Sequence, residues 1–296
     1  MKIKRTLILL TMITGLLVSC KQNKVVSDAY GNFEAVETTI SSEASGRILW
    51  LDIMEGQVLK GGDTVGLIDT TDLHYKKLQL QAQKSAIESK SASINAQAAV
   101  YNQQKSNLTN DLRRIENLMK DQAATPKQLD DVTGSIRVTE QQIISVRTQL
   151  AAVSDEIKAI DAQIAQVGEA LKRCFLINTV EGTVLSRYAE TGEVTAFGKP
   201  LYKIANLKTM DLRVYISGKM LSEVKTGQKA RVLIDSDKGM SELEGVVTWV
   251  SPAAEFTPKI IQTREERVNL VYAVKLSVVN DGRLKIAMPA EVVFIK

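Results

Sequence analysis

The strongest pattern in the chain is a seven-residue repeat of apolar positions between about residues 72 and 173. In the first half the row contains Leu73, Leu80, Ile87, Ile94, Tyr101, Leu108 and Ile115. In the second half the same step gives Leu129, Ile136, Ile143, Leu150, Ile157, Ile164 and Leu171. A sustained seven-residue step is typical of helices that wind around each other in a left-handed coiled coil. The pattern therefore predicts two long helices over residues 72–173.

Each apolar position of the first row has a counterpart in the second row at the same distance from residue 122. If the chain turns back at that residue, apolar layers of the two helices therefore face each other. Local chemistry marks the same turn: Thr125 suits a helix N-cap, Pro126 the first helical position, and Gln128 the partner in a capping box. These two independent signals predict an antiparallel hairpin. Each arm has about 47 residues, which at ~1.5 Å per residue makes a rod of ~70 Å. A spacer or dimerisation rod is an open alternative at this point.

A short pattern punctuated by glycine occurs on both sides of the predicted hairpin. Seven positions of the same class recur at an offset of 136 residues: Gly46, Ile48, Gly56, Val58, Gly62, Val65 and Ile68 match Gly182, Val184, Gly192, Val194, Gly198, Leu201 and Ile204. Short β-rich runs separated by glycine are typical of β-hairpins. Neither copy could bury its apolar face alone. The repeat therefore predicts two halves of one β-sandwich, with the helical hairpin inserted between them.

The last segment, residues 207–296, predicts a small closed β-barrel. Five or six strands in ~90 residues suit such a barrel, which removes free sheet edges. A short helix is predicted at Gly218–Val224, and one or two strands at Tyr30–Ser42. The predicted barrel strands are Met210–Ile216, Lys229–Ile234, Glu244–Ser251, Leu270–Val278 and Ala290–Ile295.

The N-terminal residues predict a signal peptide over 1–19, followed by a tether and leading strand over 20–37. A basic start precedes an apolar run of ~12 residues, too short for a bilayer core of ~30 Å but suited to a signal peptide. The run ends in Leu17-Val18-Ser19-Cys20, which resembles the bacterial lipobox. This predicts a lipid on Cys20. Ordinary cleavage nearby, with Cys20 incidental, is the alternative.

Charge and composition exclude several function classes. The formal net charge is +4, but without Lys2, Lys4 and Arg5 of the signal peptide 35 basic residues face 34 acidic ones. A nearly neutral mature chain argues against a nucleic-acid partner. The chain has two cysteines and one histidine, which excludes the usual zinc ligand sets. His74 lies at the foot of the first helix, so a catalytic triad is disfavoured and the protein is predicted not to be an enzyme.

The glycine-spaced motif, G-x-I/V followed by G-x-V and G-x-x-V/L, resembles half of a lipoyl or biotinyl carrier domain. Two such halves split by a helical hairpin resemble the HlyD-type membrane-fusion proteins, the periplasmic adaptors of bacterial efflux and secretion systems. The resemblance covers residues 29–296. It implies a multi-domain, elongated α+β fold in which a coiled-coil hairpin (72–173) is inserted between the halves of a lipoyl-like β-sandwich (38–71 and 174–206), followed by a β-barrel (207–296).

In true carrier domains, the turn between the halves presents a modified lysine. Here the hairpin takes that place, so a biotin or lipoate enzyme is disfavoured and no cofactor is expected. Many family members carry a further membrane-proximal domain. In this chain that domain is either absent or a rudimentary version formed by Tyr30–Ile40. The second helix carries a second apolar seam row at the seven-residue step, Val132, Val146, Val153, Ile160 and Val167, which Thr139 interrupts. Cys174 takes the next place in this row, seven residues after Val167, and is predicted to be a buried free thiol.

The resemblance implies a lipid-anchored periplasmic adaptor that links an inner-membrane transporter to a TolC-like outer-membrane channel. It also implies a ring of several copies, such as a hexamer. The segment Phe256–Val268 resembles adaptors of ABC-type exporters, although a proton-driven, RND-type partner stays open. A coiled-coil scaffold lipoprotein without a transporter is the alternative from another class. The inner membrane is the expected site of the lipid, with the outer membrane also open.

Adaptors of this family carry an Arg, a Leu four residues later and a Ser seven residues after that, which dock the outer-membrane channel. The corresponding residues here are Arg114, Leu118 and Thr125. The spacing is kept, and threonine replaces serine. A seam role for Leu118, an N-cap role for Thr125 and a solvated charge at Arg114 are the alternatives.

Overall fold

The computed structural model describes residues 27–236, 239–256 and 270–295. Contacts divide the chain into two compact units: one runs from Thr38 to Ile204, and the other combines the segments before and after it. In chain order the elements are β1 (Ala29–Glu34), β2 (Glu37–Ser41), β3 (Gly46–Leu51), β4 (Val58–Leu59), β5 (Thr64–Ile68), α1 (Thr71–Lys120), α2 (Pro126–Arg173), β6 (Phe175–Ile177), β7 (Gly182–Arg187), β8 (Val194–Thr195), β9 (Pro200–Ala205), β10 (Thr209–Ser217), β11 (Lys229–Ser236), β12 (Gly239–Val250), β13 (Glu255–Phe256), β14 (Leu270–Val279) and β15 (Pro289–Phe294).

The helices α1 and α2 form the predicted hairpin. The buried apolar side chains of the seam between them are aliphatic, and each one of this size contributes about 1.5–3 kcal/mol. Thr139, which interrupts the second row of α2, is also buried and donates its hydroxyl to the Ser135 carbonyl at 2.9 Å. The buried apolar residues of the seam are Leu80, Ile87, Ile94, Ile143, Val146, Val153 and Ile160.

Lysines of α1 flank the seam and reach acidic residues of α2. The Lys84 ammonium lies 2.8 Å from the Asp161 carboxylate, and the Lys105 ammonium lies 2.8 Å from Glu140. Lys105 comes after Lys84 along α1, but its partner Glu140 comes before Asp161 along α2. The two helices are therefore antiparallel. The lysine stems cover apolar surface while their charged ends stay in water.

Two four-stranded sheets form the rest of this unit. One sheet has the order β2-β9-β7-β4 and the other the order β6-β5-β3-β8. Burial alternates along β6 and the start of β7, as expected for strands with one face on a core. The strands β5 and β9 instead bury two consecutive residues near their starts. The largest fully buried side chains of this core are Ile48, Ile53, Ile68, Leu201, Tyr202 and Ile204.

The internal repeat is visible in the strand positions. The strands β3, β4 and β5 begin 136 residues before β7, β8 and β9 respectively. The copies exchange short strands, because β3 pairs with β8 and β4 pairs with β7. Backbone hydrogen bonds repeat at the same offset: Gly56 donates to the Val184 carbonyl and Gly192 donates to the Ile48 carbonyl, each at 2.8 Å. Each sheet therefore contains strands from both copies.

The second unit contains a closed six-stranded barrel with the order β10-β1-β15-β11-β12-β14, in which β14 pairs back with β10. The short strand β13 pairs with β14 past the point where the pairing of β12 with β14 ends. Gly31 lies where β1 crosses β10 so closely that a Cβ would fall 1.8 Å from the Arg213 carbonyl oxygen. A larger residue would therefore push the two strands apart. The core includes Phe33, Met210, Leu212, Ile216, Ile234 and Leu276.

Two details differ from the sequence predictions. The barrel is not confined to residues 207–296, because Ala29–Glu34 supplies a strand that pairs with β10 and β15. Since β2 pairs with β9 in a different sheet, Tyr30–Ile40 does not form a rudimentary domain of its own. The helix predicted at Gly218–Val224 is replaced by turns, in which Met220 donates to the Ser217 carbonyl at 3.0 Å. A segment this short does not offset the cost of starting an α-helix.

Candidate functional site

The predicted docking residues lie at the closed end of the hairpin. Arg114 is on the outer side of α1, with a side chain that is 74% exposed. Its guanidinium lies 3.6 Å from the carboxylate of Asp111, one turn earlier. An exposed pair of this kind contributes little to stability. The Arg114 charge is therefore accessible to a binding partner.

Leu118 lies one helical turn after Arg114, on the same side of α1. It is 41% exposed, so it does not serve as a buried seam residue at this end of the hairpin. Ile115 takes the seam position and is partly buried. Arg114 and Leu118 together present a cation beside an apolar side chain. Protein interfaces are enriched in arginine and in apolar residues of the buried core.

The chain reverses directly after Leu118. Ala123 donates its N–H to the Leu118 carbonyl at 2.8 Å, and Gln122 donates to the Met119 carbonyl at 3.1 Å. This pair of bonds is a Schellman motif, which needs a left-handed residue at its centre. Gln122 supplies it with φ of 59°. The turn thus lies at residue 122, where the phase of the two apolar rows predicts it.

Thr125 begins the second arm as the N-cap of α2. Its hydroxyl oxygen accepts from the Gln128 N–H at 3.3 Å, and Gln128 Oε1 accepts from the Thr125 N–H at 2.8 Å. The predicted capping box, with Pro126 in the first helical turn, is therefore confirmed. The Thr125 hydroxyl also donates to Gln128 Oε1 at 3.0 Å. Any docking contact of this hydroxyl would compete with the cap.

No hydrogen bond or ion pair joins any two of Arg114, Leu118 and Thr125, which the structure describes in full. Across residues 27–236, 239–256 and 270–295, no group of three or more His, Cys, Asp or Glu side chains is placed to hold a metal ion. Within the same residues, no helix is both long and apolar enough to span a bilayer.

Comparison of sequences finds relatives described as membrane proteins. No protein-family model matches the chain. The UPF0194 membrane protein in the asrC 5′ region of Acidithiobacillus ferridurans is 27% identical over 288 residues, covering 89% of this chain and 85% of that protein. The UPF0194 membrane protein YbhG of Salmonella gallinarum is 26% identical over 293 residues, covering 90% and 87%.

Comparison of structures decides the fold. MacA from Actinobacillus actinomycetemcomitans superposes with a TM-score of 0.61 at 19% identity, over 92% of this chain and 80% of MacA. The membrane fusion protein Spr0693 from Streptococcus pneumoniae R6 superposes with a TM-score of 0.55 at 14% identity, over 90% and 97%. The chain has the membrane-fusion-protein fold. The resemblance that the repeat and the hairpin indicate is therefore confirmed.

Two expectations for this membrane-fusion fold lie outside the described residues. Cys20, the predicted lipidation site, precedes them. Most of the Phe256–Val268 segment, which resembles adaptors of ABC-type exporters, falls between the described ranges. Both stay predictions.

Cys174 and His74 take structural positions at the foot of the hairpin. Cys174 is a free thiol with 1% exposure and belongs to the core of the two sheets, as the prediction of a buried thiol requires. Burial raises the pKa of this thiol, and the nearby Asp69 carboxylate adds to the shift. A thiol held protonated in this way is a poor nucleophile. His74 lies in the first turn of α1, edge-on to the Tyr75 ring at 5.9 Å.

Sequence reasoning missed a pair of contacts that join the two copies of the repeat. The Leu51 N–H donates to Thr191 Oγ1 at 3.1 Å, and the Arg187 N–H donates to Glu55 Oε1 at 3.2 Å. The two donor residues, Leu51 and Arg187, are 136 residues apart, and so are the two acceptor residues, Glu55 and Thr191. The sequence did contain a signal for these contacts, because each acceptor residue directly precedes a repeated glycine, Gly56 or Gly192.

A second missed contact breaks the symmetry of the repeat. The Tyr202 hydroxyl donates to Asn178 Oδ1 at 3.0 Å in the core. Burial, with a smaller effect from the Asp63 carboxylate, raises the pKa of Tyr202 to about 12. The corresponding residue of the first copy is Gly66, so the repeat offers no signal for this bond.

Proposed function

We propose that this protein is a lipid-anchored periplasmic adaptor with no catalytic activity of its own. In this role it links an inner-membrane exporter to a TolC-like channel in the outer membrane. The observation that carries the proposal is the exposed tip of a long hairpin rooted in one β domain. Since β5 leads into α1, β6 follows α2 and these two strands pair, both arms leave from adjacent positions. A helix of 50 residues has a length of ~75 Å, which supplies the reach.

The proposal assigns the lipid anchor to Cys20. A basic start, a short apolar run and a lipobox-like end support this assignment. Several acyl chains on one cysteine would make anchoring stable, whereas a single chain gives only marginal binding. The anchored protein would lie in the periplasm, with the inner membrane as the expected site.

The proposal assigns the two interlocked sheets to a lipoyl-like domain formed by residues 38–71 and 174–206. Its hairpin occupies the place where a carrier domain presents its lysine, so the domain would serve as a scaffold. Copies of this domain and of the barrel would lie side by side in a ring such as a hexamer. The ring would leave a passage between the exporter and the channel.

The partner exporter is proposed to be of the ABC type, on the strength of the Phe256–Val268 segment. A proton-driven, RND-type pump is the alternative, and the genes beside this one discriminate between the two. A scaffold lipoprotein without a transporter is the third possibility. The exposed Arg114 and Leu118 at the tip favour a docking role over a plain rod.

Genetic epistasis tests the adaptor role. Deleting this gene, deleting the adjacent exporter genes and deleting both should give the same pattern of hypersensitivity across a panel of toxic compounds. The double deletion should be no worse than either single deletion, because an adaptor acts only through its exporter. Additive defects, or an envelope defect without loss of export, would support the scaffold alternative instead.

A further inference from the structure

The outer wall of the barrel carries a groove of about 580 Å³. Strand register shows how its floor is built. Tyr215 of β10 pairs with Tyr30 of β1, Tyr30 pairs with Glu291 of β15, and Glu291 pairs with Leu233 of β11. Directly opposed residues on neighbouring strands have side chains on the same face. The four side chains therefore stand in one row across four strands.

This row faces away from the barrel core. The flanking residues Val214, Val232 and Val292 are fully buried in the core, and successive residues of a strand point to opposite faces. Tyr30 is 59% exposed. The row is thus an outward-facing strip with a carboxylate in its middle, most accessible at Tyr30 and least accessible at Leu233, which is 9% exposed.

A second carboxylate stands at the end of the groove. Asp235 pairs with Met240 where β11 and β12 approach their connecting turn, and both line the groove. Met240 is 49% exposed and offers a flexible apolar side chain that adapts to irregular shapes. The described lining of the groove therefore combines two aromatic rings and two carboxylates with several apolar side chains, among them Leu233 and Met240.

The charge of the groove is not neutralised by the residues that the structure describes. Neither Asp235 nor Glu291 forms an ion pair with a described residue, and no described lining residue is basic. Glu291 accepts a hydrogen bond from the Ser27 hydroxyl, which orients the carboxylate without cancelling its charge.

One aromatic ring of this wall, Tyr215, already lies beside a cation. The Arg213 guanidinium carbon lies 5.8 Å from the centre of the Tyr215 ring. Arg213 itself is held by Glu255, with two contacts of 2.9 and 3.0 Å. Its charge is therefore compensated outside the groove, while the carboxylates inside it are not.

We propose that this groove binds an apolar organic cation. The negative faces of Tyr30 and Tyr215 attract a positive charge, and the Asp235 and Glu291 carboxylates add Coulombic attraction. The apolar body of the ligand would lie on Leu233 and Met240. An anion of the same shape meets two carboxylates and no cation among the described residues of the lining. This binding activity goes beyond the adaptor role and does not depend on it.

Two ions of nearly the same shape and opposite charge, tetraphenylphosphonium and tetraphenylborate, test the proposal. Each is titrated by calorimetry into the purified full chain, with a titration into the same buffer as blank. Tetraphenylphosphonium should bind at one site, and tetraphenylborate should bind at least about tenfold more weakly, because like charges oppose it. Equal binding of both ions would show a general apolar surface and would overturn the proposal.

Single substitutions locate the site. Glu291→Gln and Asp235→Asn should each weaken tetraphenylphosphonium binding about fivefold, and Tyr30→Leu should do so by a similar factor through loss of the aromatic face. Asp211→Asn is the matched control, because Asp211 lies on the outer face of β10 but does not line the groove. Thermal melting checks that each variant is folded. Unchanged binding in the folded Asp235→Asn and Tyr30→Leu variants, or an equal loss in Asp211→Asn, would contradict the assignment.

Discussion

Two neighbouring arginines at the hairpin tip offer a matched pair for testing the docking role. Arg113 and Arg114 are both exposed, but successive residues of a helix point in different directions. We expect Arg114→Asp to abolish export, since the loss of a charged partner in a desolvated contact costs about 2–5 kcal/mol. Arg113→Asp should leave export near wild type.

The same two variants should differ little in stability. An exposed substitution of this kind is usually within ~0.5 kcal/mol of neutral, so circular dichroism and melting should resemble those of the wild type. Transport or compound susceptibility is measured beside these controls. Normal export by Arg114→Asp, or equal defects in both variants, would show that the tip motif is coincidental.

The cap at Thr125 predicts a local effect on the stability of α2. Thr125→Ala should cost about 1 kcal/mol, because the N-terminal amides of α2 lose their acceptor. Amide hydrogen exchange over residues 127–132 should then be about fivefold faster. Thr125→Ser, which keeps the hydroxyl, should exchange as the wild type does. Slow exchange in Thr125→Ala would mean that the hydroxyl does not stabilise the turn.

Cys20 is tested by its chemistry rather than by its structure. If this cysteine carries the lipid, Cys20→Ser removes the acceptor sulfur, so metabolic labelling with palmitate should disappear. The mature chain should then be released or misprocessed. Equal label in the wild type and the variant would rule out lipidation at this residue.

At the scale of elements, the two interlocked copies predict a β domain that folds without the hairpin. Leu67 of β5 pairs with Phe175 of β6, so a short linker can replace residues 75–170. The shortened chain should keep a cooperative β-type unfolding transition in circular dichroism. Removing residues 38–70 as well should destroy the transition of this domain, because each sheet needs strands of both copies. A shortened chain without cooperative unfolding would show that the sheets depend on the helices.

The long elements could be predicted from the sequence because their patterns repeat many times. Each helix repeats its seven-residue step over the whole arm, and Thr125 with Pro126 marks the turn. The glycines at 46, 56 and 62 recur at 182, 192 and 198, which exposes the repeat. Patterns of this kind depend on periodicity and local turn chemistry alone.

Contacts between distant strands could not be predicted in the same way. Ala29–Glu34 shows the alternation of any half-buried strand, and nothing local indicates that it pairs with β10 and β15. The Tyr202–Asn178 bond and the row formed by Tyr215, Tyr30 and Glu291 likewise depend on register between distant segments. The seven-residue pattern also could not predict the exposure of Leu118. This residue lies beside the seam but is 41% exposed.

At the scale of the whole molecule, the central claim is that the hairpin tip contacts an outer-membrane channel. In-cell photo-cross-linking tests it most directly, with the reactive group placed at Asn117, which is exposed between Arg114 and Leu118. Val100 and Tyr75, each 65% exposed and farther from the tip along α1, are the matched controls. The account predicts an adduct with one outer-membrane channel protein at Asn117 and none at Val100 or Tyr75. An outer-membrane adduct from Tyr75 in place of Asn117, or adducts at Asn117 with inner-membrane proteins alone, would contradict it.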